Sequence, residues 1–196
     1  PLSSFGDFIA ISEVVDEETA LLIKREVSDG IIARDYTEEA LNILSTKKKG
    51  NYIILKGDEN IIENLRENVE YREINGIGLS QPFNKESINF DFFEERKDER
   101  VLTKRTDITR EEQEDLIIAN ITLKYTPSNS ISIAFNNCVI GIGAGQQNRF
   151  DCIKIAGNKS INYLLHYHPK CIELLDKFNA NIKRQDKVIA IIKYIN

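Results

Sequence analysis

The arrangement of apolar periods in the first third of this 196-residue chain predicts an α/β fold. Three observations carry that reading. Ile31-Ile32-Ala33 has the composition of a short buried strand, and Tyr52, Ile53, Ile54 and Leu55 within 51–56 form a second. Between them, Ala40, Leu41, Ile43 and Leu44 recur at helical spacing. Strand, helix, strand in such short succession asks for some parallel pairing.

The elements follow in order. Asp16 is placed to cap a first helix, with Glu17 and Glu18 suited to its positive end and Ala20, Leu22, Ile23 and Val27 along it. Gly30 is expected just past that helix, where a positive φ is easily adopted. Thr37 begins the second helix, with Glu38 and Glu39 in its first turn. Lys47, Lys48 and Lys49 read either as complements to its C-terminal dipole, with Gly50 as the stop, or as a phosphate patch. Residues 57–68 read as weak helix or loop, and Val69 to Ser80 as extended chain loosened by Gly76 and Gly78. The charged run from Phe92 to Arg105 reads as an exposed connection. Thr109-Arg110-Glu111-Glu112 is a capping box ahead of a helix through Leu123, expected to be largely buried. Ser130 to Phe135 alternates like a half-buried strand, Asn136-Asn137 makes a two-residue turn, and Cys138 to Ile142 returns. A basic, mostly helical tail completes the chain.

Composition narrows the function. Apolar residues make up 41%, ordinary for a globular protein, and no 18-residue apolar run predicts a membrane helix. A net charge of −5 opposes non-specific nucleic-acid binding. The three cysteines, Cys138, Cys152 and Cys171, form no C-x-x-C pair and suit a reducing cytosol. His166 and His168 lie two apart without a third ligand nearby, so no metal site is expected. The first residue is Pro1 and the chain opens on what reads as mid-domain sequence, which suits a trimmed chain, a processed product or a piece of a longer polypeptide.

The most informative stretch is Lys124-Tyr125-Thr126-Pro127-Ser128-Asn129-Ser130, followed by Gly141-Ile142-Gly143-Ala144-Gly145-Gln146-Gln147-Asn148-Arg149. Asn129 and Arg149 bracket two strands, and a hairpin can bring two such distant side chains into one site. The glycine run lacks the last glycine of a dinucleotide fingerprint, and no P-loop is present. Its glycines either let a strand pack tightly on a helix or let backbone approach an anion at the next helix N-terminus. Arg149 in that first turn is unusual, because cations are disfavoured there.

Four blocks together resemble one family. They are Ser4-Phe5-Gly6-Asp7-Phe8-Ile9-Ala10, Arg25-Glu26-Val27-Ser28-Asp29-Gly30-Ile31-Ile32-Ala33, the Lys124 to Ser130 segment, and Val139-Ile140-Gly141 through Arg149. They are similar to the AICAR transformylase domain of bifunctional purine-biosynthesis enzymes, whose other domain is an IMP cyclohydrolase. Lys47 to Tyr52 and Ala156-Gly157-Asn158-Lys159 support the likeness. It runs over nearly the whole chain but covers only the middle of that domain.

The resemblance implies formyl transfer from 10-formyltetrahydrofolate to the 5-amine of AICAR ribonucleotide in a cytoplasmic homodimer whose sites draw on both subunits. It implies two partial lobes, 1–107 and 108–196, of cytidine-deaminase-like three-layer α/β/α architecture with mixed sheets. Gly6 and Asp29 would line the nucleotide pocket from the first lobe, Asn129 and Arg149 from the second. Asn129 would also act in catalysis, and Phe150 would lie on the folate side. The zinc deaminase signature is absent. The family's Lys-His pair for proton transfer lies upstream of Phe5, so the resemblance also implies that this chain is inactive alone. A non-catalytic nucleotide-binding or assembly module is the rival expectation. Pro127 and Asn148 stand where the family usually has Gln and Ser, and Tyr163 and Leu164 lie where it carries paired Trp.

Overall fold

The structure, a computed structural model, describes residues 6–58, 69–94 and 103–195. The chain is α/β and divides into two compact units, Pro1–Lys85 and Glu86–Asn196. The sequence reading divides the lobes at 107/108. Residues near the start of the second unit group with it for a visible reason. The Glu86 carbonyl accepts from Lys124 Nζ at 2.9 Å, and the Arg110 guanidinium lies over the Phe90 ring.

The first unit is built on a three-stranded parallel sheet in the order β1 (Phe8–Val15), β2 (Gly30–Tyr36), β3 (Ile53–Lys56). Helices α1 (Glu17–Arg25) and α2 (Glu38–Ser45) connect the strands. Asp16 caps α1 by accepting from the Thr19 amide at 2.8 Å, and Thr37 caps α2 through the Ala40 amide at 3.2 Å. Ile31 and Ala33, two apart on β2, share one sheet face and join Val15, Ala20, Ile23, Ala40, Leu44 and Tyr52 in the core. Leu44 and Ile31 are fully buried, each stabilising the unit by about 1.5–3 kcal/mol relative to exposure. Phe8, Ile32, Ile53 and Leu55 are each more than a third exposed.

Three sequence expectations change in this unit. Gly30 does not follow α1; it opens β2 in register with Phe8 and Ile53. Its lack of a side chain has a packing cause, since a Cβ there would fall 2.2 Å from Cζ of the Phe8 ring. The lysine triplet does not close α2 either. It forms a separate 3₁₀ turn, Lys47–Gly50, in which Lys48 and Lys49 take left-handed backbone (φ 52° and 58°) and Gly50 follows at φ 87°. Val69 to Ser80 is not one extended run. It is an antiparallel hairpin of β4 (Val69–Ile74) and β5 (Ile77–Pro82), turned by Asn75-Gly76 with both residues at positive φ. Most of 57–68 and of the Phe92 to Arg105 run lies outside the described residues, as does Phe5. A short helix α3 (Asp91–Glu94) begins the latter stretch.

The second unit pairs β6 (Ile131–Phe135) with β7 (Cys138–Gly143) across the Asn136-Asn137 turn, whose φ values of 50° and 58° suit asparagine. Helix α4 (Arg110–Lys124) and helix α5 (Arg149–His166) both pack on this ribbon. Helices α6 (Pro169–Asp176) and α7 (Arg184–Ile195) follow, with Cys171 and Ile191 buried among them. The capping box forms in full: Thr109 Oγ1 accepts from the Glu112 amide at 3.3 Å, and Glu112 accepts from the Thr109 amide at 2.9 Å. Contrary to expectation α4 is not a buried helix. None of its residues is fully covered, because only one side rests on the ribbon and Leu116 and Ile121 face out.

Candidate functional site

In the first unit the candidate residues sit at the amino ends of the three parallel strands. Gly6 and Asp7 precede β1, Ser28 and Asp29 precede β2, and Tyr52 precedes β3. Gly6 adopts φ 74°, a conformation that favours glycine. Its amide donates to Asp29 Oδ2 at 2.5 Å, joining two residues 23 positions apart. The Asp29 backbone is fixed on both sides: its amide donates to the Asp7 carbonyl at 2.7 Å, and its carbonyl accepts from Ile53 at 3.4 Å. Lys48 forms an ion pair with Asp29 Oδ1. Ser28 Oγ and the Tyr52 hydroxyl form a buried hydrogen bond of 2.8 Å directly beside it.

Lys47 takes a different partner from its neighbour. Its Nζ donates to the Glu26 carbonyl at 2.5 Å and stands 5.1 Å from the Tyr52 ring centroid. Burial pushes this ammonium below the ordinary lysine range, partly opposed by Glu26. The first two lysines of the triplet thus reach back to residues 26 and 29, at the entry to β2. These partners differ from the helix end and the phosphate patch that the sequence suggests, because the reach depends on the left-handed turn.

In the second unit the site is a pair of stitched loops. Asn129 Nδ2 donates to the carbonyls of Gln146 at 3.2 Å and Gln147 at 3.3 Å. The Gly145 amide donates to the Pro127 carbonyl at 3.2 Å, and Cys152 Sγ donates to the Asn129 carbonyl at 3.0 Å. The Ser128–Asn129 peptide is cis. Asn129 therefore spends its amide hydrogens on the loop that leads into α5 and keeps Oδ1 as an acceptor.

The close-packing reading of the glycine run holds at Gly141 and Gly143. A Cβ at Gly141 would fall 2.2 Å from Ser160 Oγ and 2.3 Å from the Ala156 carbonyl oxygen. At Gly143 it would fall 2.2 Å from the Cys152 carbonyl oxygen. These two glycines let β7 lie against α5. Gly145 has open space around it and φ 64°, so it serves the turn instead.

Asn148 caps α5 by accepting from the Asp151 amide at 2.9 Å. Arg149, the first residue of α5, is exposed, and its guanidinium makes no hydrogen bond or ion pair among the described residues. Phe150 is also exposed, and Lys154 Nζ stands 4.3 Å from its ring centroid. Asn129 and the segment entering α5 are thus brought together, as are Gly6 and Asp29 within the first unit.

The histidines serve local geometry. His166 Nδ1 lies 3.2 Å from the Asn162 carbonyl oxygen within α5, and His168 caps α6. No group of three or more metal-ligating side chains occurs among the described residues, and the cysteines are free thiols. Among the described residues no helix is long and apolar enough to cross a membrane.

Residues 1–159 match the model of the AICARFT/IMPCHase bienzyme family. The chain is 36% identical over 156 residues to the bifunctional purine biosynthesis protein PurH of Acetivibrio thermocellus, covering 80% of this chain and 29% of that protein. It is 34% identical over 160 residues to the PurH protein of Aquifex aeolicus, covering 82% and 28%. Petrotoga mobilis PurH is 36% identical over 149 residues, covering 76% and 26%. The chain spans less than a third of the length of these curated relatives. All four segments that carry the candidate residues lie within the matched span, and the chain belongs to the AICARFT/IMPCHase bienzyme family.

Proposed function

We propose that this chain forms part of the transformylase site of a bifunctional purine-biosynthesis enzyme. The reaction is transfer of a formyl group from 10-formyltetrahydrofolate to the 5-amine of AICAR ribonucleotide. The amine nitrogen forms a bond to the formyl carbon, the bond from that carbon to folate N10 breaks, and the amine's proton is passed on as N10 gains one. Positioning the two reactants accounts for much of the barrier lowering in such a transfer.

Gly6 and Asp29 of the first unit bind the nucleotide. Arg149 supplies a fixed, always-charged set of donors for substrate oxygens. Asn129 presents Oδ1 to the carboxamide or the amine, and Phe150 offers a flat apolar surface to folate. A homodimer, a cytoplasmic setting and a deaminase-like three-layer arrangement of the lobes belong to the same reading. The observation that carries it is the pairing of family match with geometry. Gly6 and Asp29 touch, and Asn129 grips the loop entering α5, within the matched residues.

The test is the melting temperature of the protein with and without AICAR ribonucleotide, folate being present. Ligand that binds the native state alone raises it by mass action. The expected result is a saturable upward shift. No shift at saturating nucleotide contradicts the assignment, and a shift without formyl transfer by the intact gene product favours a nucleotide-binding module.

A further inference from the structure

We infer that Lys48 is a positioning residue for the nucleotide, acting through Asp29. This inference rests on the reading of Gly6 and Asp29 as nucleotide-pocket residues, and it adds a side chain that the reading does not include. The two oxygens of the Asp29 carboxylate are held from different directions. Lys48 meets Oδ1 and the Gly6 amide meets Oδ2. With the backbone of Asp29 also fixed at both its amide and its carbonyl, the carboxylate plane has one orientation. Each oxygen retains a lone pair for a ligand hydroxyl or amine hydrogen.

The turn that delivers Lys48 is costly. Lys48 and Lys49 both occupy left-handed backbone, which non-glycine residues rarely adopt and which clusters at functional sites. The surrounding bonds over-determine it: the Asn51 amide donates to the Lys48 carbonyl at 3.2 Å, and Lys47 is anchored to Glu26. An ion pair this open contributes little to folding, because the Lys48 and Asp29 side chains are 40% and 35% exposed. Stability alone therefore does not account for the strained turn. An open, rigidly aimed carboxylate does account for it, since pre-set orientation strengthens binding.

The experiment is calorimetric titration of AICAR ribonucleotide into the wild-type protein and into Lys48→Ala, Lys48→Arg, Lys49→Ala, Asp29→Asn and the Lys48→Ala/Asp29→Asn double variant, with a thermal melt of each. Lys48→Ala is expected to weaken binding roughly tenfold or more with little change in melting temperature, as misplacement of an aligned group does. Lys48→Arg should recover most of the affinity, and Lys49→Ala should stay within about twofold of wild type. The double variant should bind no more weakly than Asp29→Asn alone, because Lys48 acts through that carboxylate. Wild-type affinity in Lys48→Ala, with Asp29→Asn impaired, overturns the inference and leaves the pocket reading standing; so do additive losses in the double variant. Absence of binding by the wild-type protein overturns both. If Lys48→Ala unfolds, Lys48→Met, which keeps the side-chain length without the charge, replaces it in both the single and the double variant, and the same outcomes decide.

Discussion

The side-chain nitrogen of Asn129 lies 3.2 Å from the carbonyl oxygen of Gln146, bridging a loop that ends α4 to the loop that begins α5. A second bond to Gln147 makes this amide a clamp between two segments that the β6–β7 hairpin brings close together. Asn129→Ala removes two donors and leaves two carbonyls to find water. It should destabilise the protein by about 1–3 kcal/mol. Asn129→Asp should cost more, because it sets a carboxylate against two carbonyl oxygens. Urea unfolding of the three proteins checks the order; an Asp variant as stable as wild type contradicts the clamp.

The glycines of β7, α5 and the loop between them give a graded series. Gly143→Ala drives a Cβ into the backbone of Cys152 and Gly141→Ala into Ala156 and Ser160, so each should lose about 1–3 kcal/mol or more. Gly145→Ala meets no atom within 4 Å and bears only the left-handed penalty of about 1–2 kcal/mol. Gly157 lies inside α5 with open space around it, so Gly157→Ala should stabilise by about 0.5–1 kcal/mol. Thermal denaturation distinguishes these outcomes, and a neutral Gly143→Ala contradicts the close strand–helix contact.

Ser28 and Tyr52 share a buried hydrogen bond of 2.8 Å. Tyr52→Phe or Ser28→Ala alone orphans the other hydroxyl, at about 1–3 kcal/mol. The double variant should be less destabilised than the sum, because no orphan remains. Additive losses in a double-mutant cycle would show that the two hydroxyls are not coupled.

The capping box of α4 titrates. The hydrogen bond from Arg105, helped by the Thr109 amide, holds the Glu112 carboxyl below the ordinary glutamate range. A carboxyl depressed in the folded state adds stability that is complete above its unfolded pKa, about 4.3, and vanishes as pH falls through the folded value. The stability gap between wild type and Glu112→Gln should therefore narrow as pH drops below about 4.3. A gap constant from pH about 7 to about 3 contradicts the linkage.

Local chemistry made much of the fold legible. Asp16, Thr37 and the Thr109–Glu112 box announce helix starts because capping needs only neighbouring atoms. Asn136-Asn137 announces its turn by the same logic. Asn75-Gly76 carried an equally strong signal, yet the run around it reads as continuous strand because β-compatible residues flank it on both sides. What stayed hidden depends on register and long-range contact. Gly30 is a strand residue only because β1 sets Phe8 beside it. Lys48 reaches Asp29 only through a turn that lysine rarely makes. Asn129 and Arg149 were picked out by sequence, but the clamp on Gln146 and Gln147 belongs to the folded hairpin.

Equilibrium titration of AICAR ribonucleotide into wild-type protein and Arg149→Ala at matched ionic strength decides the proposed claim that Arg149, at the start of α5, receives the nucleotide. Saturable binding weakened by about 1.5–3 kcal/mol in the variant, with folding intact, is the expected result. Equal affinity in the two proteins, or none in either, contradicts the claim.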